Sequence, residues 1–391
     1  KQVMHFIGSF LLIFWLGFWG NHFIATDKDT KVQTELKKIM EELHAIGLSV
    51  VVVDKGQIVY NESLGYKSID TSNGNGKEPL RNGYIFRIAS ISKTFVATAI
   101  FQLIEKGQLA LNDDINRYLN FKVSNPKYPE IPITVKMLLS HRSSINDSQG
   151  YHSFDHISPR KGKNYQSCYN DYAPGEGYQY CNYNYNLLGA IIEKISGERF
   201  DVYIEKYVTG PLNLNCSFNV EQLDSNLLVP LYKYNASTKR FNLMPEAYKS
   251  YKDYLNNYRL ASYTPLLSPT GGMKISAEDL AKYMIMHIQR GRDNNSRIIT
   301  KKSEKLIRQV VTPESGYALS FREYKGLISG EILCGQTGGA YGLFSAMIFQ
   351  PEKKYGFVVI TNGCISESAD GYQDLHKRVI NCLYDNFIRK N

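Results

Sequence analysis

Ser90 and Lys93 stand three residues apart, directly ahead of the apolar run Phe95-Val-Ala-Thr-Ala-Ile-Phe101. On a helix, residues i and i+3 share a face with Cβ atoms about 5–6 Å apart, so a hydroxyl and an amine at this spacing meet. A lysine drawn out of water loses part of its preference for the charged form, and its amine becomes a base for the serine proton. Phe86, Ile88, Ala89, Phe95, Val96 and Ile100 supply the apolar surroundings. The chemistry implied is nucleophilic acyl transfer. The same spacing recurs at Ser124 and Lys127 and at Ser158 and Lys161, but both copies contain a proline and lack apolar periodicity, so they read as loop. The plainer reading of Ser90 is a helix cap beside a solvated lysine.

Two further motifs weigh against that plainer reading. Tyr180-Cys181-Asn182 precedes an amphipathic stretch ending near Gly197, and Cys334-Gly335-Gln336-Thr337-Gly338-Gly339 leads into the strand-like run Leu343–Phe349. In this order, Ser-x-x-Lys, Tyr-x-Asn and Gln-Thr-Gly resemble the three-part motif of the serine β-lactamase and penicillin-binding protein superfamily. The branch most similar is that of class C β-lactamases, D,D-peptidases and esterases. Segments 50–66, 107–119, 133–141 and 268–280 are similar as well, so the resemblance covers about residues 45 to 390.

The resemblance implies an α/β (α+β) fold, with an antiparallel sheet flanked by helices and a mostly helical lobe inserted between its N- and C-terminal strands. Ser90 would be the nucleophile, with Lys93 and Tyr180 handling its proton. Tyr180 could serve as a base only if the Lys93 ammonium lowers its pKa from the ordinary ~10. Asn182 would hydrogen-bond Lys93 and the substrate's amide side chain. The backbone N–H groups of Ser90 and Gly339 would form an oxyanion hole. Gln336, Thr337, Gly338 and Gly339 would line the substrate, the two glycines letting the strand edge approach closely. One position departs from the pattern. Gln336 stands where family members carry Lys or His, and an amide donates a hydrogen bond but adds no charge. An ester or uncharged amide is thereby favoured over a penicillin or D-Ala-D-Ala carboxylate. The reading is an exported serine hydrolase working through an acyl-serine on a β-lactam, D-amino-acid peptide or acyl ester. The alternative is a catalytically silent relative that binds peptidoglycan or another ligand. The chain has no Gly-x-Ser-x-Gly, which argues against a lipase-like triad.

The elements that must position these residues follow from periodicity. The pattern predicts a helix over 34–44, a hairpin over 50–60, strands at 316–321, 327–333, 343–349 and 355–361, and a helix through Leu375, Val379, Leu383 and Phe387. An α/β lobe is expected over about 26–88 and 270–391 and a helical lobe over about 89–269, in a single unit 26–391. At 391 residues and 43% hydrophobic the chain can bury a large core. Its net charge of +9 is spread without a Lys or Arg run, which argues against a nucleic-acid partner. A small-molecule or peptidoglycan-derived substrate is the expected partner. Six cysteines allow fifteen pairings and show no Cys-x-x-Cys, so disulfides and isolated thiols both remain open. His152 and His156 have ligand-like spacing but lie in a polar, proline-punctuated region, so neither a metal nor another cofactor is expected. Residues 1–25 read as a signal sequence or membrane anchor because residues 6–20 are uncharged and apolar, implying export to the periplasm or an extracytoplasmic membrane surface. Membrane association through residues 3–20 is part of that expectation.

Overall fold

The computed structural model describes residues 27–69, 76–293, 295–369 and 372–389. The expected signal or anchor lies outside these residues. Among the described residues no helix is long and apolar enough to cross a membrane.

Helix α1 (Asp27–Glu42) leads into strands β1 (Gly47–Asp54) and β2 (Gln57–Ile69), followed by β3 (Lys77–Pro79) and β4 (Ile85–Arg87). Helix α2 (Ser92–Glu105) and helix α3 (Tyr183–Ser196) belong to the helical segment, and β5 (Cys216–Ser217) follows them. Next come β6 (Lys274–Ser276) and helix α4 (Ala277–Ile288). Strands β7 (Arg322–Lys325), β8 (Ile332–Ala340), β9 (Leu343–Gln350) and β10 (Tyr355–Thr361) precede helix α5 (Asp374–Phe387).

Seven strands form one sheet in the order β3-β2-β1-β10-β9-β8-β7, each neighbouring pair antiparallel. The valine run of β1 explains its central place, since both faces of the strand are buried. Alternate residues serve two cores. Val51, Val53, Met347, Val358 and Ile360 join the helical segment and α4, whereas Val50, Val52, Ile348, Phe357 and Val359 join α1 and α5. The β1–β2 turn places Lys55 at φ +51° and Gly56 at φ +76°, the left-handed pair of a type I′ hairpin. A small sheet, β4-β6-β5, stands beside the start of α2.

Two expected strands are displaced. Residues 316–321 form a turn held by the bridges Thr312 to Tyr317 and Tyr317 to Arg322. Residues 327–331 turn as well, because Gly326 and Gly330 adopt φ +84° and +78°. Strand β8 therefore begins only at Ile332 and carries the whole Gln-Thr-Gly-Gly motif.

Candidate active site

Helix α2 is buried on every side from Ser92 to Leu103, which places Lys93 at 0% exposure. Ser90 precedes it in a short 3-10 turn, Ala89–Ile91, and Ala89 takes φ +47°, a strained value for a residue with a side chain. Lys93 Nζ donates to Ser90 Oγ at 3.1 Å, to Asn182 Oδ1 at 3.0 Å and to the Thr270 carbonyl at 2.7 Å. Burial pulls the Lys93 pKa down to about 7, partly offset by Asp147, so a sizeable fraction of the amine is neutral at neutral pH. An amine lone pair in this position faces the serine proton.

The Tyr180 hydroxyl hydrogen-bonds Ser90, and its ring lies 4.9 Å from Lys93 Nζ. Its pKa, however, is pushed up by desolvation. The lowering that the sequence reading required of Tyr180 is absent, because desolvation of the phenol outweighs the hydrogen bond to Ser90 that favours ionisation. Tyr180 rests as a phenol that can donate or relay a proton.

Asn182 stands just before α3 and joins three groups. Its Oδ1 accepts from Lys93 and from Thr270 Oγ1 at 2.8 Å, and its Nδ2 donates to Asp147 Oδ2 at 2.9 Å. The Asp147 carboxylate also accepts the backbone N–H groups of Asn182 at 2.8 Å and Tyr183 at 3.0 Å, and the Cys181 thiol at 3.3 Å. A carboxylate at a helix N-terminus is favoured by the unpaired N–H groups there. Asp147 carries no motif in the sequence, and only its place near the start of α3 in space reveals it. Cys181 is pushed well above the thiol range by burial, which makes it a poor nucleophile. All six cysteines are unpaired thiols. Among the described residues no group of three or more His, Cys, Asp or Glu could hold a metal.

The cleft, of about 260 Å³, is lined by Ser90, Tyr180, Gln336, Thr337, Gly338 and Gly339 among others. The sequence-selected residues Ser90, Lys93, Tyr180 and Asn182 thus meet one another, and β8 brings the other four to the same cleft. A Cβ on Gly338 would lie 2.3 Å from the Ile88 carbonyl and 2.5 Å from Ser345 Oγ, so β8 can approach the Ser90 turn only with glycine there. A Cβ on Gly339 would meet nothing closer than 3.5 Å, so that glycine is not demanded by packing.

Gln336 is 4% exposed and its amide hydrogens are already used, one by Tyr317 Oη at 3.0 Å and one by the Ser320 carbonyl at 3.1 Å. Expected as a substrate contact, it does line the cleft, with both amide hydrogens tied to the protein. His141 meets Tyr317 as well. Its Nδ1 accepts the Cys181 N–H at 3.1 Å, so the ring proton belongs on Nε2, which faces Tyr317 Oη at 3.1 Å. Burial and the Lys93 charge hold His141 well below the usual histidine range. Among the described residues, Arg322 on β7 brings a cationic side chain to the cleft lining, and its Nε donates to the Ser315 carbonyl at 2.9 Å.

The Beta-lactamase family model matches residues 32–379. Protein flp of Staphylococcus aureus (strain COL) is 25% identical over 352 residues, which are 87% of this chain and 64% of that protein. The chain thus spans less than two thirds of the length of that curated relative. The octameric penicillin-binding protein homologue from Pyrococcus abyssi superposes with a TM-score of 0.70 at 26% identity, over 90% of this chain and 76% of that one. EstCE1, a hydrolase with promiscuous acyltransferase activity, gives a TM-score of 0.71 at 18% identity over 91% and 98%, a likeness of fold.

Proposed function

The chain belongs to the beta-lactamase family, and from that premise we propose that it is a serine hydrolase acting through an acyl-serine at Ser90. The observation that carries the proposal is a buried Lys93 amine, with a pKa of about 7, 3.1 Å from Ser90 Oγ. In the first half-reaction Ser90 Oγ bonds to the substrate carbonyl carbon while its proton passes to neutral Lys93. The oxygen that gains the electron pair is placed at the backbone N–H groups of Ser90 and Gly339, each such donor typically worth a few kcal/mol. When the bond to the leaving amine or alcohol breaks, Tyr180 hands that group a proton and regains one from the Lys93 ammonium. Water then repeats the sequence, releasing the acid and restoring the serine. Asn182 orients Lys93 and keeps one amide hydrogen for a substrate carbonyl, since the other is given to Asp147.

The substrates we propose are acyl esters and amides, β-lactams and D-amino-acid peptides included, with any carboxylate directed at Arg322 rather than Gln336. The spent amide of Gln336 and the charge of Arg322 in the same cleft support this reading. A cell-envelope setting with a peptidoglycan-derived substrate belongs to the same proposal and rests on the apolar run at residues 6–20. The test is incubation with a fluorescent penicillin and a panel of p-nitrophenyl acyl esters. We expect a mass increment on the intact protein that maps to Ser90 and disappears in Ser90→Ala. Labelling that persists in Ser90→Ala would overturn the assignment.

A further inference from the structure

Behind the loop that supports Lys93 lies a second, smaller cavity, of about 50 Å³, whose lining includes Arg87 and Lys274. These two cations are direct cross-strand partners, Arg87 on β4 facing Lys274 on β6. Like charges in that register repel one another. Lys274 is 6% exposed, and its Nζ donates to a single acceptor, the Phe218 carbonyl at 2.5 Å. Arg87 donates Nε to the Gly271 carbonyl at 2.8 Å and Nη1 to the Ala247 carbonyl at 2.8 Å, with Nη2 3.4 Å from Ser268 Oγ. Among the described residues, no carboxylate lies within ion-pair distance of either cation. Asp201, the acid whose field reaches Lys274, is already held by Arg199 through two hydrogen bonds. Of the other charged groups of the lining, Lys249 and Glu246 are exposed and opposite in sign, and His152 feels the Arg87 charge.

Arg87 lies over the Tyr341 ring at 5.1 Å. Burial and the facing Arg87 charge push Lys274 well below the ordinary lysine range, so its ammonium is the costly form unless an anion compensates it. Protonated beside an anion, the lysine would have two N–H groups to spare and the guanidinium has two more. The cavity exceeds the ~10–15 Å³ needed for one water, giving room for a halide or a small oxoanion. We propose that this cavity is a binding site for one small inorganic anion, held between the Lys274 ammonium and the Arg87 guanidinium. The anion neutralises the cross-strand repulsion. It also steadies residues 268–272, because Arg87 grips Gly271, and the adjacent Thr270 supplies a carbonyl to Lys93 and a hydroxyl to Asn182. The site is separate from the Ser90 cleft, so this inference does not depend on the proposed hydrolysis.

The test uses the intact protein at fixed ionic strength and pH, with chloride or inorganic phosphate replacing gluconate, an anion too bulky for the cavity. We expect a saturable rise in melting temperature of about 2–5 °C, and excess chloride-35 NMR line broadening that inorganic phosphate displaces. Lys274→Met should lose both effects and still fold, since an apolar chain of similar length replaces an uncompensated charge. Should that variant be insoluble, Lys274→Gln serves in its place. Lys249→Ala, at the exposed rim, should retain both effects. Absence of saturation in the wild-type protein, or equal responses in the Lys274 variant, would overturn the proposal, leaving a water-filled cavity beside a neutral amine.

Discussion

Lys93 lies between two opposing influences: burial favours the neutral amine, while the Asp147 carboxylate favours the ammonium. The base is the neutral form, so the acylation rate should rise with pH through about 7 and level off above it. Lys93→Ala should lose that limb together with roughly 10²–10⁴-fold in rate. Tyr180→Phe should keep the limb, because its phenol already lies above the ordinary range, and lose only the relay step. Asp147→Asn removes the charge that holds the Lys93 pKa up, so its limb should move to lower pH; an unmoved or raised midpoint would show that Asp147 does not act on Lys93. Arg322 and Gln336 separate in the same spirit. Arg322→Gln should reduce acylation by a penicillin relative to a neutral ester by roughly five- to thirtyfold, equivalent to ~1–2 kcal/mol for one partly solvated charge-assisted hydrogen bond. Added salt should shrink that difference. A penicillin-to-ester ratio indifferent to Arg322 but altered by Gln336→Lys would instead restore Gln336 as the carboxylate contact.

At the scale of elements, the site depends on how closely β8 meets the 3-10 turn before α2. Ser345 Oγ donates to the Ile88 carbonyl at 2.9 Å, and Gly338 leaves no room for a Cβ beside the same carbonyl. Gly338→Ala should therefore push β8 from the turn, costing about 1–3 kcal/mol of stability as overpacking does, and slow acylation by separating Gly339 N–H from Ser90. Gly339→Ala, with ordinary contacts, should change thermal stability much less; equal losses in a melting comparison would refute the close-approach account. The two motif glycines are alike in the sequence, and only the packing of the turn tells them apart. The same limit explains what else was legible. The valine run of β1 and the four-residue spacing of α5 specify burial locally, so those elements could be read. Residues 316–321 have strand-like composition but are turned by Gly316 at φ +68° and Ser320 at φ +104°, and this turn delivers Tyr317 to Gln336. Asp147 and Arg322 were not legible as site residues, because each acts through a fold-dependent contact far from any motif, and Thr270, though within a family-like segment, acts through contacts only the fold reveals.

At the scale of the whole molecule, the sheet closes only when β1 pairs with β10, strands that are some three hundred residues apart in the chain. The helical segment between them is not a separate body, because one continuous core joins Val51, Met347 and Ile360 of the sheet to Phe95, Leu187 and Ile191 of the helices. The second core, on the far face, carries α1 and α5, and there Leu383 is fully buried. Truncating it in Leu383→Ala should cost about 2–5 kcal/mol. If the two cores are tied through the sheet, this loss on the face away from Ser90 should lower the midpoint of the whole protein in urea. Far-UV circular dichroism and competence for acylation by a fluorescent penicillin should then fall together in one transition. The alternative outcome is a first transition that removes α1 and α5 while acylation persists. It would mean that the helical segment and the near face of the sheet form a self-sufficient unit, and that the strand pairing of β1 with β10 survives without the helices that cover it.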